Sequence, residues 1–140
     1  MKAIEVLGLE KKYGRTTAVD KVSFDVEHGD AVGLVGPNGS GKTTLLRMLA
    51  TLLKPTAGYA RIMDFDGRFQ AAKIRRILGF MPDLPAMEDD LSVEEYLEYF
   101  AALSGLPAPE RSPRVKGLID LLDLGPVRER LMGALSRGMQ

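Results

Sequence analysis

The chain has no cysteine, no tryptophan and one histidine, and its 19 Lys and Arg are matched by 19 Asp and Glu. Each shortage removes a class of function. Without cysteine there is no disulfide scaffold and no thiolate metal site, a composition that fits an intracellular protein. With a formal net charge of +0 there is no electrostatic case for nucleic acid as the main partner. The single histidine, His28, falls in the turn His28-Gly29-Asp30 and reads as a surface residue. No apolar run is long enough to span a bilayer, so spanning helices for any work at a membrane must come from another chain or segment. Met1-Lys2 leads into Ala-Ile-Glu-Val without a secretory apolar core. At 140 residues and 45% hydrophobic, the composition is that of one ordinary globular domain.

Against these absences stands one dense signal. Residues 36–43 read Gly-Pro-Asn-Gly-Ser-Gly-Lys-Thr, a full G-x-x-x-x-G-K-[ST] phosphate-binding loop. From background residue frequencies, a chance match in a chain of this length is roughly one in two hundred. The apolar run Ala31–Val35 before it predicts a buried strand, and Thr44–Ala50 after it has helical spacing. Gly36, Gly39 and Gly41 let the backbone approach a phosphate chain closely, and the loop amides with the positive end of the following helix form an anion cradle. Lys42 is placed for the β- and γ-phosphates, and Thr43 for a hydroxyl on Mg²⁺, which prefers hard oxygens. Pro37, Asn38, Ser40 and Thr44 complete the predicted nucleotide contact.

Elsewhere the pattern predicts strands over 2–9, 22–27 and 58–63, and a second buried strand over Ile77–Met81. The helix after the loop is predicted from about Gly41 to Leu53, ahead of Pro55. Residues 72–76 read as the solvated face of a short basic helix. Ser92-Val93-Glu94-Glu95 is a capping box opening a helix that ends near Gly105. Pro107, Pro109 and Pro113 read as a breaker-rich link, followed by an amphipathic helix ending near Gly125. Together these predict an α/β core with an inserted or appended helical part.

In this order the landmarks resemble an ATP-binding-cassette (ABC) transporter ATP-binding subunit over the whole chain, and most of all the ATPase subunits of exporters. Leu9-Glu10-Lys11-Lys12-Tyr13-Gly14 is similar to that family's adenine-stacking segment, with Tyr13 as the stacking ring. Residues 36–44 are similar to its Walker A motif, Leu78–Asp83 to its Q-loop, and Leu135–Met139 to its signature segment. The resemblance implies a P-loop NTPase core with an N-terminal β subdomain over 1–82 and a Q-loop region and helical subdomain over 83–140. It implies ATP and Mg²⁺ as cofactors, Thr43 and Asp83 on the metal, and Ser136 and Gly138 facing the γ-phosphate held by an opposite subunit. It also implies a homodimer or pseudo-dimer, transmembrane permease subunits met by the helical region of about 83–125, and a cytoplasmic location on the inner face of the cell membrane.

The chain departs from the family pattern at Asp83, where glutamine is usual, and at Arg137 and Met139 within the signature. Aspartate keeps an oxygen for the metal but adds charge and loses the amide donor. His28 matches no motif position. The family's Walker B aspartate, general-base glutamate and switch histidine follow the signature, so the expectation is an N-terminal portion of a longer ATPase, truncated before the Walker B strand, with no complete catalytic set in residues 1–140. The alternatives are a non-hydrolysing nucleotide-binding or regulatory module, and an ABC-type ATPase of translation or DNA repair.

Overall fold

A computed structural model describes residues 2–82 and 88–136. They form two compact units that divide between Phe80 and Met81.

The first unit is built on a long hairpin, β1 (Lys2–Tyr13) and β2 (Thr16–Glu27), whose register closes at Tyr13↔Thr16. The strands run further than alternation alone indicates, because β1 is not regular. Val6 and Leu9 are both buried although a period of two would send them to opposite faces. A register shift between them, with Gly8 at φ 56°, turns both inward. β3 (Ala57–Ile62) pairs antiparallel with the other edge of β1. β4 (Phe65–Asp66) follows through the two-residue turn Met63-Asp64, both residues at positive φ, and gives the order β2-β1-β3-β4.

Helix α1 (Lys42–Leu49) lays Leu45, Met48 and Leu49 against Val6, Leu9, Val19 and Ala60 to make the core. Burying each such side chain contributes about 2 kcal/mol. α1 stops four residues short of the predicted Leu53. Thr51 takes φ 58°, its amide donates to the Met48 carbonyl, and the Leu52 amide donates to the Arg47 carbonyl. That pair of bonds is a Schellman stop, made here by a threonine where glycine is usual. A short helix, α2 (Ala71–Ile77), buries Ile74 and leaves Lys73, Arg75 and Arg76 exposed, as predicted for a basic helix face.

Two expected strands are corrected. Ala31–Val35 is not a strand and is exposed, with Val35 at 93%. Ile77 ends α2, and residues 78–82 form no strand either. Apolar content makes a segment suited to burial, but a strand also needs neighbours for its amides and carbonyls. Among the described residues no strand lies beside either segment.

The second unit is helical. α3 (Val93–Leu103) starts at the predicted capping box and ends at Gly105, φ 81°. α4 (Ala108–Leu121) begins inside the predicted proline link, which is a correction. Pro107 is the N-cap and Pro109 lies in the first turn, where no amide donor is needed; only Pro113 removes a helical hydrogen bond. Asp123, at φ 53°, closes α4 before Gly125, with the Leu124 amide donating to the Ile119 carbonyl. The return segment then clasps the start of α3. Ser92 bridges to Leu131, the Val93 amide donates to Arg130, and Arg128 makes a forked pair with Glu94 at 2.6 and 2.8 Å. Val93, Met132 and Leu135 form the small core beneath. The α/β class holds: an antiparallel sheet with helices in the first unit, helices in the second.

Candidate nucleotide-binding site

The phosphate loop leaves the exposed segment 31–35 and turns into α1 through glycines at φ 80° (Gly39) and φ 91° (Gly41). Gly41 is required twice over. Its left-handed backbone disfavours any side chain, and a Cβ there would collide with the Ala18 carbonyl and meet Val19 Cγ2 at 3.2 Å. The loop is thereby seated against β2. Gly36 is also confined: a Cβ would lie 2.8 Å from Ser40 Oγ.

Lys42 is half-buried, and its Nζ donates to the carbonyls of Gly36 and Pro37, both at 2.7 Å. Among the described residues no carboxylate pairs with it, so its charge is met by carbonyl dipoles alone. The Ser40 amide donates to Pro37 at 3.2 Å and closes the turn. α1 has no side-chain cap at Gly41 and no acidic residue in its first turn. Its leading amides therefore lack an internal acceptor and carry the positive end of the helix dipole. An open cleft of about 460 Å³ lies beside the loop, lined by Gly36, Ser40 and Lys42 on one side and Thr17, Ala18 and Asp20 of β2 on the other. Such a helix start, with a lysine beside it, is chemically suited to receive a polyanion.

Thr43 stands exposed in the first turn of α1. Its neutral hydroxyl suits a magnesium ion that arrives already coordinated by phosphate oxygens. Asn38, Ser40 and Thr44 also lie on the loop or that first turn. Tyr13, 52% exposed, ends β1 opposite Thr16, one residue from the cleft-lining Thr17. Tyr13 and residues 36–44 all belong to the first unit, and Thr17, near Tyr13 on the hairpin, lines the cleft beside the loop. Ser136 belongs to the second unit, exposed and just beyond the buried Leu135. Asp83, Arg137, Gly138 and Met139 lie outside the described residues.

Sequence reasoning missed two contributors. Ala18 meets the loop through its carbonyl, which no residue pattern reveals. Lys11 lies with its Nζ 5.1 Å from the centroid of the Tyr13 ring. A second cavity, of about 440 Å³, opens at the other end of α1 among Leu9, Met48, Leu49, Ala60 and Ile74. Thr51, Lys54, Thr56 and Arg68 also line it.

A family model described as "ABC transporter" matches residues 19–140. Nod factor export ATP-binding protein I of Ralstonia nicotianae is 38% identical over 137 residues, which cover 98% of this chain and 43% of that protein. The probable multidrug ABC transporter ATP-binding protein YbhF of Escherichia coli is 39% identical over 98% of this chain and 24% of its own length. The daunorubicin/doxorubicin resistance ATP-binding protein DrrA of Streptomyces peucetius is 37% identical, over 99% and 42%. The chain thus spans less than half the length of these relatives. Among solved structures, an ATP-binding subunit of an ABC transporter matches with a TM-score of 0.80 at 28% identity, covering 98% of this chain and 57% of that one. A dimeric ATP-binding cassette in a post-hydrolysis state, bound to ADP and Pi, matches at 0.81 with 25% identity, covering 97% and 64%.

Proposed function

The chain belongs to the ABC transporter family, and from that premise we propose that it is part of the ATP-binding subunit of an exporter, coupling ATP binding and hydrolysis to transport across a membrane. One observation carries the reading. α1 opens with uncapped amides beside a lysine whose ammonium is held by loop carbonyls at 2.7 Å and paired with no described acid. The triphosphate lies along residues 36–44, with Lys42 on its terminal phosphates and adenine against Tyr13. Thr43 and Asp83 would hold Mg²⁺, which would neutralise phosphate charge. Two subunits pair, a reading supported by the dimeric form of a similar cassette, and in that pair Ser136 and Gly138 of each would face the other's γ-phosphate.

The division of labour is a β subdomain with the phosphate loop over 1–82 and a helical subdomain over 83–140. The helical part meets permease subunits on the inner face of the cell membrane. Among the described residues no helix is long and apolar enough to cross a membrane, so in this reading the permease supplies the spanning helices. Its relatives' names, Nod factor export and drug resistance, support an export role.

Calorimetric titration with ATP and Mg²⁺ tests the nucleotide reading. Saturable binding that disappears in Lys42→Ala is expected; equal affinity in both proteins overturns it. For transport, the complete protein with its permease in vesicles is expected to accumulate substrate only with ATP, and ATP-independent uptake counts against coupling.

A further inference from the structure

Tyr13 ends β1, and the two lysines before it make different contacts, with the register shifting on either side of Lys11. Lys12 is paired within the strand: the buried Glu10 carboxylate lies 2.8 Å from Lys12 Nζ. Lys11 makes no such pair among the described residues. Its half-buried side chain instead donates from Nζ to the Lys54 carbonyl at 2.7 Å, with the ammonium 5.1 Å from the Tyr13 centroid. Lys54 is itself held in place. Two residues on, the Thr56 amide donates to the Glu10 carbonyl at 2.8 Å and Thr56 Oγ1 accepts from the Lys12 amide at 3.0 Å. Residues 54–56 lie in the connection from the end of α1, the helix that the phosphate loop opens, to β3.

We propose that Lys11 is a positioning residue for the base of a bound nucleotide: pinned by the Lys54 carbonyl, its ammonium holds the Tyr13 ring in one orientation. This rests on the nucleotide-binding reading above. An aromatic ring at a hairpin tip, 52% exposed, otherwise samples several rotamers, and a base that stacks on it must bear the cost of ordering it. A cation over the ring removes much of that cost beforehand. The same brace ties the base platform to the connection that follows α1, the helix opened by the phosphate loop.

The test uses two probes, ATP and Mg-tripolyphosphate, the second lacking a base, titrated into the full chain. Lys11→Met keeps the apolar stem and removes the charge. It is expected to weaken ATP about three- to tenfold and to leave tripolyphosphate within about twofold. Lys11→Arg restores ATP affinity. In a Tyr13→Leu background, Lys11→Met adds no further loss, because its effect passes through the ring. Unchanged ATP affinity in Lys11→Met, equal weakening of both probes, or full additivity with Tyr13→Leu overturns the proposal. Failure of the unmodified chain to bind either probe removes the nucleotide reading itself, an outcome distinct from losing only the role of Lys11.

Discussion

At the start of α3 the Ser92 side chain accepts from the Glu95 amide at 3.3 Å, the Glu95 carboxylate accepts from the Ser92 amide at 2.8 Å, and Glu94 and Glu95 put negative charge in the first turn. At the start of α1 there is Gly41, with no side-chain cap, no acid in the first turn, and a lysine where α3 has valine. Both helices face the same electrostatic problem, a row of amide donors at the positive end of a dipole. α3 satisfies it internally and is finished as a structural element. α1 leaves it open, in a loop that also concentrates a lysine and three glycines. Packing of Leu45, Met48 and Leu49 holds α1 despite its uncapped start, and an anion would gain most at that start.

Breaking the open end has the largest expected effect. Lys42→Ala removes the only side-chain cation of the loop, and ATP affinity is expected to fall about a hundredfold or more by calorimetry. Thr44→Glu gives α1 the acidic third position that α3 has at Glu95. Melting of the ligand-free chain should rise slightly, by about 0.5 kcal/mol, while ATP affinity drops about tenfold or more. A rise in both would show that the uncapped end is not where phosphate sits. Gly41→Ala forces a side chain into a left-handed position against the Ala18 carbonyl. A stability loss of about 2 kcal/mol in denaturant melts is expected, with weakened ATP binding.

The closed end should respond in stability alone. Ser92→Ala is expected to cost about 1 kcal/mol and to leave ATP affinity unchanged. The smallest effect is with pH. The hydrogen bond from the Ser92 backbone, followed by that from its side chain, holds the Glu95 carboxyl below its ordinary value. A group depressed in the folded state stabilises fully above its unfolded pKa, and that contribution is lost as pH falls through the folded one. Melting temperature should therefore decline below about pH 4 with a small Glu95 component that Glu95→Gln removes. An unchanged pH profile in that variant would mean the capping carboxylate contributes nothing.

The helix ends show how far local reading goes. The start of α3 was legible because a capping box is four adjacent residues, and its end was legible because Gly105 supplies the left-handed residue a helix stop needs. α1 and α4 stop by the same geometry with Thr51, a β-branched residue that rarely takes positive φ, and Asp123, which tolerates it but does not announce it as glycine does. Pattern alone therefore ran both helices too long. The prolines near α4 misled in the opposite direction, because proline breaks a helix interior and suits its first turn. The hydrophobic runs Ala31–Val35 and Ile77–Met81 announce a preference for burial, and neither says which strand is to lie beside it.

By itself the sequence determined the chemistry of the phosphate loop, since glycine, lysine and threonine at fixed spacing act through their own backbone and their nearest neighbours. It likewise determined the box that starts α3. Only the tertiary structure decided that Gly41 abuts Ala18, and that Lys11 reaches Lys54 across 43 positions of chain to sit over Tyr13. The first joins a strand to the start of a helix and the second joins a strand to the segment beyond that helix. Their partners are chosen by how the hairpin and α1 pack, which no local pattern encodes.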